Sequence, residues 1–157
     1  MNALLRALLP VIVVAPLFTG GAAYADQPGA HPAYLHALAD LRNARANLER
    51  RGGDAQMKWD EAQAIANVNG AIGNIKLASI DDGKDLGDHP PVDAREPRFG
   101  RLHKALAALH AAHADVDREE DNGFAQDLKH RALRDIDAAI LRTREGLCNA
   151  GDQGYCH

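Results

Sequence analysis

The chain has 157 residues with 18 basic and 22 acidic side chains, a net charge of −4, and aromatics make up 4% of it. An acidic chain with no basic block argues against nucleic acid or an anionic membrane surface as partner. So few aromatics also argue against base-stacking platforms and a roomy aromatic pocket.

Met1 to Arg6 carries one positive charge, Ala7 to Phe18 is almost wholly apolar, and Ala23-Tyr24-Ala25 supplies the small-x-small pattern that signal peptidase accepts. The apolar run is shorter than the roughly 20 residues of a spanning helix, and Pro10 and Pro16 interrupt it. The expectation is a signal peptide over 1–25, cleaved between Ala25 and Asp26, and a periplasmic or secreted protein with no membrane attachment. Residues 26–157 would then carry 17 basic and 22 acidic side chains, a charge of −5, and all 8 histidines. That length suits one domain with a real core.

Helix 1 is predicted from about Pro32 to Arg51, with proline in its first turn and Gly52-Gly53 ending it. Its apolar stripe is Tyr34, Ala37, Leu38, Leu41, Ala44 and Leu48. Helix 2 follows with Asp54 as N-cap and runs to about Ile80 on Met57, Ala64, Val68, Ala71, Ile72 and Ile75. A loop rich in Asp, Gly and Pro occupies 81–100. Helix 3 spans about 101–120 on Leu102, Ala105, Leu106, Leu109, Ala112 and Val116. Asn122 caps helix 4, which reaches about Leu147 on Ala125, Ala132, Ile136, Ala139 and Ile140.

The halves align without a gap at an offset of 68, with ten of about forty positions identical, among them Ala37-Leu38-Ala39 with Ala105-Leu106-Ala107 and Ala71-Ile72 with Ala139-Ile140. The reading is a duplicated αα-hairpin, about 31–80 and about 101–147. One amphipathic hairpin cannot bury its stripe alone, so the fold expected is all-α, an up-down-up-down four-helix bundle.

Cys148 and Cys156 close the chain in a tail over 148–157. In an exported protein such a pair points to a disulfide; the competing reading is a thiol metal site with His157 beside Cys156. Arg45 and His113 occupy equivalent stripe positions on helices 1 and 3, as Glu61 and Lys129 do on helices 2 and 4. Each lies about two turns from its hairpin loop. The four are expected to share a polar core layer, structural or with Glu61 and His113 as ligands or acid–base groups. A di-iron centre is not expected, because no Glu-x-x-His is present.

In the up-down-up-down order both termini and the long loop meet at one end. That would gather His31, His36, His89, His103 and His157 beside the five carboxylates of 81–93. Imidazoles with a few carboxylates suit copper, nickel or zinc. His110 and His113 lie on the same side of helix 3 as His103, but no pair of histidines has i, i+4 spacing. A calcium loop is not expected over 81–93, since the oxygen alternation breaks at Lys84 and Leu86 and no Glu closes it.

The tandem hairpin with histidines in Ala-rich helices, nearest in Leu102-His103-Lys104-Ala105 through His110-Ala111-Ala112-His113, resembles the small periplasmic metal-binding four-helix proteins. That resemblance implies a copper- or other divalent-metal-binding bundle. This chain departs from it in having fewer histidines and a long acidic loop, so one or two sites are the most it implies. Asp81-Asp82-Gly83-Lys84, His89-Pro90-Pro91 and Glu119-Glu120-Asp121-Asn122 resemble segments of other exported helical proteins and imply no activity.

The functional expectation is a non-enzymatic exported bundle that binds or buffers a transition metal. Its rival is an interaction or stress-type bundle that binds an unidentified protein partner without metal, for which Trp59, Phe99 and Leu77 are the apolar residues outside the core stripes. No nucleophile–base motif, glycine-rich phosphate loop or Cys-x-x-Cys-His haem motif is present, so neither an enzyme, a nucleotide nor haem is expected.

Overall fold

The computed structural model describes residues 32–50, 56–78, 84–119 and 123–156, the side chains of residues 123 and 124 excepted. The signal segment, His31, the Asp54 and Asn122 caps, the loop's 81–83 and His157 lie outside the described residues. Among the described residues, four helices, α1 (Pro32–Glu49), α2 (Trp59–Ala78), α3 (Arg98–Arg118) and α4 (Gly123–Asn149), precede one 3-10 turn (Gln153–Tyr155).

Local chemistry moves two of the expected boundaries. Helix α2 begins at Trp59 rather than just after residue 54, because the Glu61 carboxylate reaches back to accept from the Lys58 N–H at 2.9 Å. Helix α3 begins three residues early, at Arg98, directly after Pro97. Proline suits a helix start, where its missing N–H is no loss.

The predicted stripes form the core. Tyr34, Leu38, Leu41 and Leu48 of α1 interdigitate with Val68, Ile72 and Ile75 of α2, Leu102, Leu106 and Leu109 of α3, and Ile136 and Leu147 of α4. A large aliphatic side chain sealed this way contributes about 2 kcal/mol relative to exposure. Burial recurs at the 68-residue offset: Ala37, Leu38, Leu41, Ala44 and Leu48 are buried, and so are Ala105, Leu106, Leu109, Ala112 and Val116. Met57 departs from its stripe and is exposed, since it precedes the first turn of α2.

The bundle forms, but with a different chain direction from the one expected. Helix α1 packs on α2 and α3, and α4 packs on the same two, which leaves α1/α4 and α2/α3 on the diagonals. Arg101 Nη1 donates to the Asn47 carbonyl at 2.9 Å, so the start of α3 lies beside the end of α1. Asn74 of α2 meets Asp135 of α4, while Asp60, at the start of α2, meets Asn149, at the end of α4. Both pairs are therefore antiparallel. Arg98, opening α3, pairs with Asp60 and Glu61, opening α2, so α2 and α3 run the same way. The order is up-down-down-up.

The connection from α2 to α3 is accordingly a crossover that returns along the length of the bundle. Lys84 O accepts from Arg42 Nη2 and Lys76 Nζ, and Val92 and Asp93 lie over Asn43 and Asn47. Both orders bury the same stripes, so hydrophobic periodicity does not choose between them. The anchoring of Arg98 at the far end of α2 does.

Candidate functional site at the crossover end of the bundle

Where α2 and α3 begin and α4 finishes, a cleft of about 660 Å³ opens among Trp59, Asp60, Arg98, Glu145, Tyr155 and the Cys148–Cys156 disulfide. Its polar wall grows from the first turn of α2, where the helix dipole favours negative charge. Arg98 Nη2 donates to Asp60 Oδ2 at 3.0 Å and Nε donates to Glu61 Oε1 at 2.9 Å. Asn149 Nδ2 adds a bond to the same Asp60 oxygen at 3.3 Å. Glu61 is only 2% exposed. Unpaired, such a carboxylate would cost several kcal/mol, which the guanidinium offsets. Helix α4 passes close at Gly146, where a Cβ would stand 3.1 Å from Asp60 Oδ2 and 3.5 Å from Leu102 Cδ1.

The opposite wall is the C-terminal tail. Helix α4 ends in a Schellman motif: Asp152 N–H bonds Leu147 O at 3.0 Å, Gly151 N–H bonds Cys148 O at 2.9 Å, and Gly151 takes φ +104°. That reversal turns the tail back over the bundle. There the Cys148–Cys156 disulfide closes it, with a Cα–Cα distance of 5.0 Å. Asp152 accepts from Gly154 N–H and lies 3.1 Å from His103 Nε2. His103 stands edge-on between Phe99 (4.5 Å between centroids) and Tyr155 (5.6 Å).

Two guanidiniums complete the rim. Arg142 sits 5.0 Å above the Trp59 ring and also bonds Glu145, and Arg144 sits 5.7 Å from the Tyr155 ring. Cation–π contacts at exposed sites contribute about 0.5–1 kcal/mol each. Trp59 is 64% exposed and Phe99 44%, so this end of the bundle presents aromatic surface to solvent.

Among the described histidines, His36 and His103 do not share an end of the bundle. With Asn47 opposite Arg101 and 1.5 Å of rise per residue, His36 and His103 stand roughly 13 Å apart along the bundle axis. His89 lies beside Ala39, one turn from His36, with Nδ1 at 2.7 Å from the Pro90 carbonyl. His110 is exposed on α3, and His113 Nε2 is 3.3 Å from Asp137 Oδ1. Among the described residues, no three His, Cys, Asp or Glu side chains form a group that could hold a metal ion.

The expected polar layer is also dispersed by the chain direction. Arg45 bonds Asn69 and Glu49 on the flank of α1, while Lys129 donates to the Asp117 and Glu119 carbonyls at the far end. Only Glu61 of the four is buried, and its partner is Arg98. Sequence reasoning missed Asp60, Arg98 and Asp152. The acid pair in a first turn was a readable signal, whereas its cation lies 37 residues away.

Comparisons with protein-family models, with curated proteins and with solved structures return no match.

Proposed function

We propose that this chain is a non-enzymatic, exported interaction bundle whose terminal cleft takes an apolar side chain from a protein partner. The observation that carries this reading is the exposed Trp59, which lines the terminal cleft together with Tyr155. Aromatic anchors in a fixed, concave frame are where protein interfaces concentrate their binding energy. Here the frame is fixed by the Arg98 ion pairs on one side and the disulfide on the other, so little ordering remains to oppose binding. The cleft carboxylates Asp60, Glu61 and Glu145 are already committed to Arg98 and Arg142, which argues against acid–base chemistry there. The disulfide agrees with an oxidising compartment.

Trp59 is the chain's single tryptophan, so its emission reports on the cleft alone. The purified protein is titrated with Nα-acetyl-phenylalanine amide and with Nα-acetyl-glycine amide. A saturable shift with the first, absent with the second and lost in Tyr155→Ala, supports the reading. No response to the aromatic probe, together with saturable micromolar uptake of Cu²⁺, Ni²⁺ or Zn²⁺, replaces it with the metal-binding reading.

A further inference from the structure

Trp59 and Leu77 are the two most exposed large hydrophobic side chains among the described residues, at 64% and 71%. They stand near opposite ends of α2 and about five full turns apart, so both lie on one face of the helix, about 27 Å from each other. The same face carries Gln63, Ala66, Gly70 and Gly73, all exposed. It is bounded by the seam with α1, marked by the Arg45–Asn69 bond, and by the seam with α4, marked by Asn74–Asp135.

From Ala62 to Ile75 this helix has no charged side chain, in a chain of which 25% is charged. The solvent face of an amphipathic helix normally carries charges. Gly73 sharpens the contrast. A Cβ there would meet nothing within 4 Å, so the fold gives no steric reason for a residue that costs a helix interior about 1 kcal/mol relative to alanine.

The face is complementary to itself in one register. About Val68, Trp59 is equidistant with Leu77, Gln63 with Gly73, and Ala66 with Gly70. A second α2, turned antiparallel about a two-fold axis at that level, sets Leu77 of each copy on Trp59 of the other. Gln63 then takes the open space over Gly73, and small residues face small ones at the centre, where they let two helix axes close to about 8 Å. The same rotation brings the α1 edges together and the α4 edges together. There Arg45 is paired with Glu49 and Arg142 with Glu145, so neither pair presents a net charge to its own image.

We propose that the partner is a second copy of this chain, paired antiparallel through α2, with Leu77 the apolar side chain that meets Trp59 at the terminal cleft. This deepens the reading of that cleft and rests on it for Trp59 as the anchor. A single helix pairing about 27 Å long falls short of a standard interface, so the dimer is a weak one that dissociates in the micromolar range.

Sedimentation equilibrium and Trp59 emission of the purified protein, from about 1 µM to about 500 µM, test the pairing. A monomer–dimer equilibrium is expected, with a Trp59 shift that follows the dimer fraction. Leu77→Ala is expected to weaken dimerisation about tenfold and to move the Trp59 response with it. Within one copy the two side chains are about 27 Å apart, so that change reports contact between copies. Ala66→Glu and Ala66→Lys, at an exposed position, each set like charges about 6 Å apart along the axis and are expected to abolish the dimer. An equal mixture of the two is expected to restore it, which also shows that both variants fold. The pairing is refuted by a protein that stays monomeric to about 500 µM, by a dimer without a Trp59 shift, or by a mixture that behaves like its components. Titration with Nα-acetyl-phenylalanine amide at about 1 µM protein separates the two readings. Saturable uptake without any dimer leaves the cleft reading standing and ends this one, whereas a Trp59-linked dimer that ignores the amide upholds the pairing and ends the cleft as a receptor for other proteins.

Discussion

Arg98 Nε donates to Glu61 Oε1 at 2.9 Å across 37 residues of sequence, joining the first turns of two helices that never pack on each other. This one bond fixes the direction of the second hairpin relative to the first and builds the polar wall of the terminal cleft.

Arg98→Met removes the cation and leaves two buried carboxylates facing each other. Because the guanidinium is about a quarter exposed, water recovers part of the loss, and the expected destabilisation is about 2–3 kcal/mol. Glu61→Gln in the same background should restore part of it. Urea unfolding of the two variants and the double variant measures the coupling; additive effects would mean that the pair is not energetically linked.

Leu41 and Leu109 sit at 0% exposure in the α1/α3 half of the core. Truncation of either to alanine opens a cavity among helices that are already alanine-rich and have little bulk to collapse into it. A loss of about 3–4 kcal/mol is expected for each. Leu77→Ala, at an exposed position of α2, should change stability by under about 0.5 kcal/mol. Thermal or urea unfolding separates the two classes.

The Asp40 carboxyl has a pKa raised above 3.8, by burial first and by Asp115 second. The folded protein therefore holds this proton more tightly than the unfolded chain. The sign follows: this group favours the fold at low pH, and its contribution falls as pH rises from 3.8 through the folded-state value, remaining unfavourable above it. Asp40→Asn should raise the Tm at pH 7 and leave it unchanged at pH 3. A Tm that falls at pH 7 would show that the charge is compensated in the fold.

Gly151→Ala forces a side chain into φ +104°, a conformation that costs an L residue about 1 kcal/mol or more. Because the disulfide pins the tail independently, the expected result is faster amide exchange at 150–156 with the helices unchanged. Joint replacement of Cys148 and Cys156 by serine should enlarge that effect by about 2–3 kcal/mol, the loop-closure contribution for so short a ring. Exchange confined to the tail is the diagnostic in both cases.

The bundle and its core were legible in the sequence because a period of 3.6 is a local property, and Leu38, Leu41, Ile72 and Leu109 declare it unaided. Chain direction was not. The 19 residues between α2 and α3 can reach about 60 Å when extended, against about 30 Å for the length of α2, so the connector could have ended at either end. His36 and His103 were expected at one end for that same reason: the expectation was inferred from topology, and the topology turned on Arg98. At the cleft, Trp59 and Phe99 stood out as apolar residues off the stripes, whereas Asp152 reaching His103 depends on the reversal at Gly151.

Chain ends in many domains lie close together. The up-down-down-up order instead leaves the start of α1 and the finish of α4 at opposite poles, on helices that occupy a diagonal. Tension applied between them would load the packed flanks in shear, along the full length of the helices, rather than peeling one hairpin open from its end. The fold thus keeps the start of α1 and the finish of α4 about 27 Å apart along the bundle axis, the length of α1.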